Sequence, residues 1–431
     1  MNAKNWKSGR NLKSSGVLLA ASLLAAHRMG GAPVIMGPPP VNSTPPAAQE
    51  AEASNPMNVF IPSGGNNDNP TEPFRFGSVT FRPHVTYGFS YGTGIQSGNN
   101  GAQDTIIQQL APGFTVDLGR QWSLDYTPTI IFYSSKQFQD GVNHAASLTG
   151  GISYEDWKFS LMQGFSSSDS PTTETGTQTS QQAYSTALGA NYAFSDKMSA
   201  DFGVNQNFNF VQGFQDSYNW STMEWVNYMF APRLNAGLGA GAGYTTVENN
   251  SGTGGNNPDI VNEQLQARVN WRASDKISFQ VSGGLEDQQF LAAGYGDSLN
   301  PVFSASIQYQ PFKVTQISLA ASRTVGSSDY YIVAQSTETT SVSLNLNQRV
   351  LVKCHLSLGV GYTQTDFTEV LTGFGSGSRT DDTYSFHASF GRSFLKRGNW
   401  AITYQYLDNT SSIAGYGQQS NQIGFQIGYS Y

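Results

Sequence analysis

Cysteine, charged residues and long apolar runs are all scarce in this chain of 431 residues. Cys354 is the one cysteine, which excludes a disulfide framework and a cysteine-based metal site. It lies in an alternating run and is predicted to be a small apolar residue that faces outward. Charged residues make up 12% of the chain, roughly half the share usual in soluble domains. The net charge of −7 gives no support to nucleic-acid binding.

No stretch of the sequence approaches the ~20 consecutive apolar residues that a transmembrane helix requires. The N-terminal region instead has the pattern of an export signal, a basic segment followed by a short apolar run from Gly16 to Ala26. We predict a signal peptide over residues 1–32, with a short N-terminal helix as the alternative. Residues 33–75 are rich in Pro, Gly and Asn and lack any period, which predicts a disordered periplasmic linker.

The last ten residues alternate between large apolar side chains and Gln, Gly or Ser. A period of two predicts a strand. One fully apolar face and one face too polar to form a core indicate lipid on one side and water on the other. Taken alone, this segment is equally compatible with the edge strand of a soluble sandwich. The terminal aromatic is similar to the C-terminal signal by which outer-membrane barrels are recognised for assembly, and the residues that would form such a signal are Phe425, Ile427, Tyr429 and Tyr431.

From residue 76 onward the chain reads as a series of hairpins. Tight charged turns recur at roughly 36 to 48 residues, and looser Gly/Asn/Asp/Ser loops lie between them. The segments between turns and loops predict about eighteen strands, with sixteen as the alternative count. We therefore predict an all-β fold over residues 76–431, a closed antiparallel transmembrane β-barrel with short periplasmic turns, longer extracellular loops and both termini in the periplasm. A soluble solenoid or propeller would need a second apolar face, which the sequence lacks.

The face opposite the apolar one predicts the lumen wall. Charges are expected on this face alone, because a Lys or Arg in mid-membrane lipid costs about 2–4 kcal/mol. Its middle is nearly uncharged, which suits neutral hydrophilic solutes. Acidic residues concentrate in the loops, where they would attract cations to the mouth, bind divalent ions that bridge lipopolysaccharide, or keep the loops solvated. The candidate pore-lining residues are Arg82, His84, Asp125, Asn205, Asn207, Arg233, Gln308, Asn345, Lys353, His355 and His387.

The signal peptide, the hairpin repeat and the ending GFQIGYSY resemble the β-barrel porin families of Gram-negative outer membranes. The resemblance implies an outer-membrane location and, as partners, outer-membrane lipid, lipopolysaccharide and the barrel-assembly machinery; it leaves a homo-oligomer open. Classical porins narrow the pore with one long inward loop. No loop here exceeds roughly fifteen residues, so a deep constriction is not expected.

The function predicted from the sequence is a passive channel for small hydrophilic solutes. The alternative is a non-conducting barrel with a structural, adhesin-like or export-accessory role. The five histidines lie far apart in the sequence without metal-ligand spacing, and no catalytic constellation is apparent. We therefore expect no enzymatic activity, no cofactor and no metal site.

Overall fold

The computed structural model describes residues 74–96, 101–171, 178–249, 258–291, 296–327, 335–369, 378–413 and 417–431. The predicted signal peptide and all but the last two residues of the predicted linker lie outside these ranges. Among the described residues, there is no helix with the length and hydropathy needed to cross a membrane. The strands are β1 Phe74–Phe76, β2 Val79–Gln96, β3 Ala102–Leu118, β4 Trp122–Tyr133, β5 Gly141–Tyr154, β6 Trp157–Ser168, β7 Gln181–Ala193, β8 Met198–Val211, β9 Gln215–Ala231, β10 Leu234–Asn249, β11 Ile260–Ser274, β12 Ile277–Phe290, β13 Ser298–Phe312, β14 Thr315–Ser327, β15 Gln335–Val350, β16 Cys354–Glu369, β17 Arg379–Phe394, β18 Gly398–Ser411 and β19 Gln418–Ser430.

The strands from β2 to β19 form one closed ring. Each pairs antiparallel with the next in chain order. The last strand then pairs antiparallel with β2, from Asn421 opposite Thr93 to Ser430 opposite His84. Closure gives backbone hydrogen-bonding groups a partner on both sides of each strand, as a membrane interior requires. The prediction of a closed antiparallel barrel with eighteen strands is therefore confirmed.

The two ends of the barrel differ in their connections. At one end the strands are joined by tight turns, such as Pro232 and Arg233 between β9 and β10, or Asp275 and Lys276 between β11 and β12. At the other end the connections are mostly longer, as between Asn249 and Ile260. We call these the turn end and the loop end. This asymmetry is the one that the spacing of charged turns and looser loops predicts.

Most of the large apolar side chains point away from the barrel interior. Leu238 on β10 is 69% exposed and Leu265 on β11 is 67% exposed. Tyr87 and Phe89 on β2 are also exposed, while Ser90 between such positions is buried on the inner face. Because side chains alternate along a strand, each strand presents one apolar and one polar face. An exposed apolar exterior of this kind fits lipid rather than water.

The C-terminal strand has the orientation that its alternation predicts. Phe425, Ile427 and Tyr429 are exposed on the apolar exterior. They pair with Phe89, Tyr87 and Val85 of β2, which belong to the same exterior face. The proposed assembly signal therefore lies along the seam where β19 closes the ring onto β2.

The short strand β1 lies beside the end of this seam. Phe74 pairs with Phe81 on β2, just beyond the point where β19 ends, and Arg75 follows in the same strand. The ring of Phe74 stacks on that of Tyr431 with centroids 4.5 Å apart. The Arg397 guanidinium lies 3.5 Å from the Tyr431 ring centroid, and its hydrogen bond to Tyr431 raises the pKa of Arg397. We call Phe74, Arg397 and Tyr431 the terminal clasp.

Two expectations about the exterior need correction. Cys354 begins β16 at an outward-facing position of the register, but it is only 7% exposed and so is covered rather than presented to lipid. The expectation that charges are confined to the inner face is wrong. Glu224 on β9 pairs with Phe202 and Ala240 and shares their outward face, because residues paired across neighbouring strands lie on the same side of a sheet.

Candidate pore-lining site

The inner wall of β2 to β4 carries two polar networks near the turn end. In the first, the Arg82 guanidinium forms an ion pair with the Asp117 carboxylate at 2.8 Å. The Ser123 hydroxyl donates a second hydrogen bond to Asp117, at 3.1 Å. Arg82 thus lies on the inner wall, where its charge is neutralised by Asp117 of the neighbouring strand.

The second network joins His84 to Asp125 across strand β3. The Nε2 atom of His84 lies 2.9 Å from the Thr127 hydroxyl, which donates to Asp125 at 3.1 Å. Thr115 donates to the same carboxylate at 2.7 Å. A Cβ at Gly113 would lie 2.3 Å from His84 Nε2. The glycine therefore leaves the space through which His84 reaches Thr127.

A similar arrangement brings Asn345 and His387 together on the inner face of β15 to β17. Both approach Gly359, where a Cβ would lie 1.9 Å from His387 Cε1 and 2.5 Å from Asn345 Oδ1. His355 is on the same face of β16, closer to the turn end, because it lies an even number of residues from Gly359. These three predicted residues occupy the inner wall of β15 to β17.

The other predicted residues divide between the wall and its rim. Asn205 and Asn207 are buried on the inner face of β8, and Gln308 occupies an inner position of β13. Arg233 lies in the β9–β10 turn, where it pairs with Asp275 at 2.9 Å; the two side chains are 53% and 84% exposed. Lys353 lies in the exposed β15–β16 turn. These last two residues belong to the turn-end rim rather than to a strand of the wall.

The most extensive inner-wall network centres on Arg268, which the sequence did not single out. Arg268 extends from β11 across β10 and forms an ion pair with Asp201 on β8. It also donates to Asn227 Oδ1 on β9, at 2.6 Å from Nη2. Asn227 in turn donates to Asp201 at 2.9 Å. The Arg268 guanidinium lies 4.3 Å from the centroid of the Trp225 ring. We call Asp201, Trp225, Asn227 and Arg268 the braced arginine network.

Glycine on the inner face of β10 makes this crossing sterically allowed. A Cβ at Gly237 would lie 2.5 Å from Asn227 Oδ1, and one at Gly239 would lie 2.6 Å from two ring atoms of Trp225. Gly241 and Gly243 continue the same face. The sequence signal for the network is thus the run of alternate glycines on β10, which lies between Trp225 on β9 and Arg268 on β11.

The inner wall becomes apolar at the loop end of β2 to β4. Ile95, Ile107 and Ile131 form a buried cluster with Phe138, and Tyr133 packs against it. Phe138 belongs to the connection between β4 and β5, residues 134–140, so this connection folds over the inner face of the wall. The sequence predicted no deep constriction because the loops are short. A short loop nevertheless places an aromatic ring inside the mouth.

The adjacent connection between β6 and β7 is tied to this inward loop. Gln178 Nε2 donates to the carbonyl of Gln139 at 2.9 Å and to that of Asp169 at 2.6 Å. The Gln139 amide donates back to Gln178 Oε1 at 2.9 Å. These bonds hold the two connections against each other at the mouth.

Some inner positions at the loop end of other strands are also apolar and buried, and they lie among buried polar residues such as Gln215, Gln288 and Asn300. Beside them, Arg379 forms a buried ion pair with Asp381 and lies 4.9 Å from the centroid of the Phe367 ring. We call this band the apolar collar. It contradicts the expectation that the inner face is polar throughout, and its members outside the Phe138 cluster are Val211, Val247, Ile260, Phe290, Val302 and Phe367.

Within the described ranges, no group of three or more His, Cys, Asp or Glu side chains is arranged to hold a metal ion. The inner-wall arginines Arg82, Arg268 and Arg379 instead each pair with a carboxylate. The carboxylate of Asp125, by contrast, is held by two hydroxyls, and that of Glu286 is buried on the same face. The chemistry that this wall offers is hydrogen bonding from amides, hydroxyls and neutralised ion pairs.

No protein-family model matches the chain, and no curated protein matches it in sequence. Among solved structures, OccAB2 of Acinetobacter baumannii aligns with a TM-score of 0.44 and 12% identity, over 81% of this chain and 98% of that one. OpdL of Pseudomonas aeruginosa aligns with a TM-score of 0.42 and 13% identity, over 81% and 98% of the two chains. The siderophore receptor PirA of Pseudomonas aeruginosa aligns with a TM-score of 0.43 and 11% identity, over 81% of this chain and 80% of that one. At such low similarity, the barrel architecture described above rests on the strand register of this chain itself.

Proposed function

We propose that this protein is a passive channel for small hydrophilic solutes in a bacterial outer membrane. The observation that carries the proposal is the closed ring of strands with an apolar exterior and a largely polar inner wall. A barrel with about sixteen to eighteen strands encloses an interior wide enough for water. The proposed location follows from the exterior, because only lipid makes such exposure of Leu, Phe and Tyr favourable.

The proposed orientation places the turn end in the periplasm and the loop end outside the cell. Short turns on the periplasmic side and longer loops on the outer side are typical of transmembrane β-barrels. The basic, apolar N-terminal pattern of residues 1–32 supports export to that compartment. Both the C-terminal residue and the first described strand then lie at the periplasmic face.

The charge pairing of the wall favours neutral solutes over ions. Arg82 is paired with Asp117, Arg268 with Asp201, and Arg379 with Asp381. A paired cation contributes little net field to the lumen, whereas unpaired charges of one sign would select ions of the other sign. We therefore propose small uncharged polar molecules, such as sugars, as the preferred solutes.

Conductance in planar lipid bilayers tests the proposal. Purified protein should give discrete current steps with weak preference between potassium and chloride, measured as a reversal potential close to zero in a KCl gradient. Liposomes that contain the protein should swell in neutral sugars of small size. Folded barrels that give neither current nor swelling would contradict the channel.

The buried apolar collar favours a second candidate, a barrel closed at its loop end with a structural or accessory role. Conductance of the full-length barrel distinguishes the two, and a chain that lacks residues 33–73 controls for obstruction of the lumen by that segment. Silence of both chains would support the non-conducting role. Conductance of both would support the channel.

A further inference from the structure

The middle of the barrel exterior carries a polar stripe over four consecutive strands. It consists of Gln163 on β6, Thr186 on β7, Gln206 on β8, and Thr222 and Glu224 on β9. Each residue lies well inside its strand rather than at either end. We call this set the outer polar stripe.

The strand register places the stripe on the outward face. Gln163 pairs directly with Thr186, and Thr186 pairs directly with Gln206. The next outward positions along β7 and β8 are the exposed residues Leu188 and Val204. The Thr186 hydroxyl donates to Gln163 Oε1 at 2.9 Å, so one bond within the stripe is already formed.

Contact with lipid alone would be unfavourable for these side chains. The amide N–H groups of glutamine and the carboxylate of glutamate find no partners in hydrocarbon. Equivalent mid-strand outward positions elsewhere on the described wall are mostly apolar, for example Val85, Leu285 and Val360, all of which are exposed. The departures include Gln108 on β3, which accepts a hydrogen bond from Tyr87, and Arg323 on β14, which is paired with Glu338. Within the outer polar stripe, Glu224 places an exposed carboxylate at mid-strand.

Aromatic clusters lie on both sides of the stripe. Toward the loop end, Phe208 packs against Trp220 with ring centroids 5.6 Å apart. Toward the turn end, Trp157 packs against Phe159 at 5.5 Å and against Tyr192 at 4.7 Å. Aromatic residues are enriched in protein interfaces, where they supply large contact areas at low entropic cost.

We propose that the outer polar stripe is the contact surface between two copies of this chain in the membrane. Both copies insert with the same orientation, so their symmetry axis runs along the membrane normal, as in an isologous dimer. With that axis between β7 and β8, Gln163 of one copy faces Glu224 of the other. The amide then donates to the carboxylate on both sides of the axis.

The order of residues along the stripe is what makes the surface self-complementary. The neutral donor Gln163 lies at one end and the acceptor Glu224 at the other, with Thr186 and Gln206 between them. Gln163 and Glu224 are long enough to reach across the gap where two curved walls diverge, and Thr186 of one copy faces Gln206 of the other beside the axis. An unrelated partner would not require donor and acceptor to be placed symmetrically about the centre.

Native mass spectrometry of the full-length barrel in lipid nanodiscs tests the proposal. The wild-type protein should be dimeric. The triple variant Gln163→Leu, Gln206→Leu and Glu224→Leu should reduce the dimer fraction by about tenfold or more, while retaining a folded barrel by heat-dependent mobility in gels. The matched control is Gln108→Leu, an outward glutamine of β3 outside the stripe, which should leave the dimer unchanged. A monomeric wild type, or a triple variant that remains dimeric, would overturn the contact.

Cross-linking locates the surface with a single mild substitution. In a Cys354→Ser background, Thr186→Cys should give a dimer with a short bis-maleimide reagent in membranes. Leu344→Cys, an exposed outward position on β15, should give none. Cross-linking through residue 344 and not through residue 186 would refute the stripe as the interface. Both readouts are independent of conductance, so failure of the channel proposal would be distinguishable from failure of this one.

Discussion

Breaking the ion pair of the braced arginine network should destabilise the barrel. The substitution Arg268→Met removes the guanidinium that pairs with Asp201 and retains an apolar chain to cover Trp225. Arg268 and Asp201 are 11% and 22% exposed, so the carboxylate that remains is mostly desolvated. Loss of one partner of a buried pair typically costs about 3–5 kcal/mol. Because Asp201 still accepts a hydrogen bond from Asn227, we expect a loss of about 2–3 kcal/mol.

Urea unfolding in lipid vesicles, followed by tryptophan fluorescence, measures this loss. Trp225 is a local probe because the cation is removed from its ring. The double variant Arg268→Met with Asp201→Asn should regain most of the stability, since no unpaired buried charge remains. The matched control is Arg233→Met at the exposed rim, which should cost less than about 1 kcal/mol. A cost for Arg268→Met as small as that of the rim control, or strictly additive effects of the two substitutions, would refute the reasoning.

Three further predictions address the mouth, the seam and the clasp. Phe138→Ala should release the inward loop, because it removes a buried ring at a local cost of about 3 kcal/mol. Trypsin should then cleave faster after Lys136 while the barrel stays folded. Unchanged cleavage would mean that the cluster does not hold the loop. Gly94→Ala should lower the temperature of the thermal unfolding transition, because the φ of Gly94 is +74° and a Cβ there would lie 1.9 Å from a backbone carbonyl oxygen. The control Gly101→Ala should show the backbone strain alone, because Gly101 has a φ of +67° but no heavy atom within 4 Å of its Cβ position. Equal effects of the two substitutions would argue against a steric cause. Phe74→Ala removes one ring of the terminal clasp and should cost about 1 kcal/mol in the same unfolding assay; no change would show that the clasp does not stabilise the seam.

The barrel and its strand directions could be predicted because alternation is a local property. On β10, Leu238 and Gly239 differ so clearly in polarity that their faces are fixed by sequence alone. The turns were equally readable, since they concentrate charge between alternating runs. The exact ends of the strands could not be predicted in the same way, because β15 continues past the charged Arg349 through Val350.

The inner wall was less predictable because its features depend on contacts across several strands. On β9, Glu224 faces outward and Trp225 inward, the reverse of what polarity alone favours. Trp225 is held inside by Arg268 and by the space at Gly239, which are distant in sequence. Alternation could not reveal this, because the residues that decide it lie on other strands.

The inward fold of the β4–β5 connection at the mouth could not be predicted for a different reason. Phe138 lies in a connection whose neighbouring Gln, Asp and Gly residues are typical of a polar loop. Its aromatic ring was the signal for an inward fold, because an apolar ring at a loop tip gains by packing on Ile107 and Ile131. Loop length alone was therefore a poor guide to constriction.

The terminal clasp also makes a circular permutation of this chain feasible. Phe74 and Tyr431 are in ring contact, and β1 follows on from β19 along the same edge of β2. A short linker between these two residues would make residues 74–431 a covalent circle without disturbing the register. The chain could then be opened at a loop-end connection instead. Such a circular permutant would move both new ends to the opposite side of the membrane and would show whether the barrel can close without a free C-terminal strand.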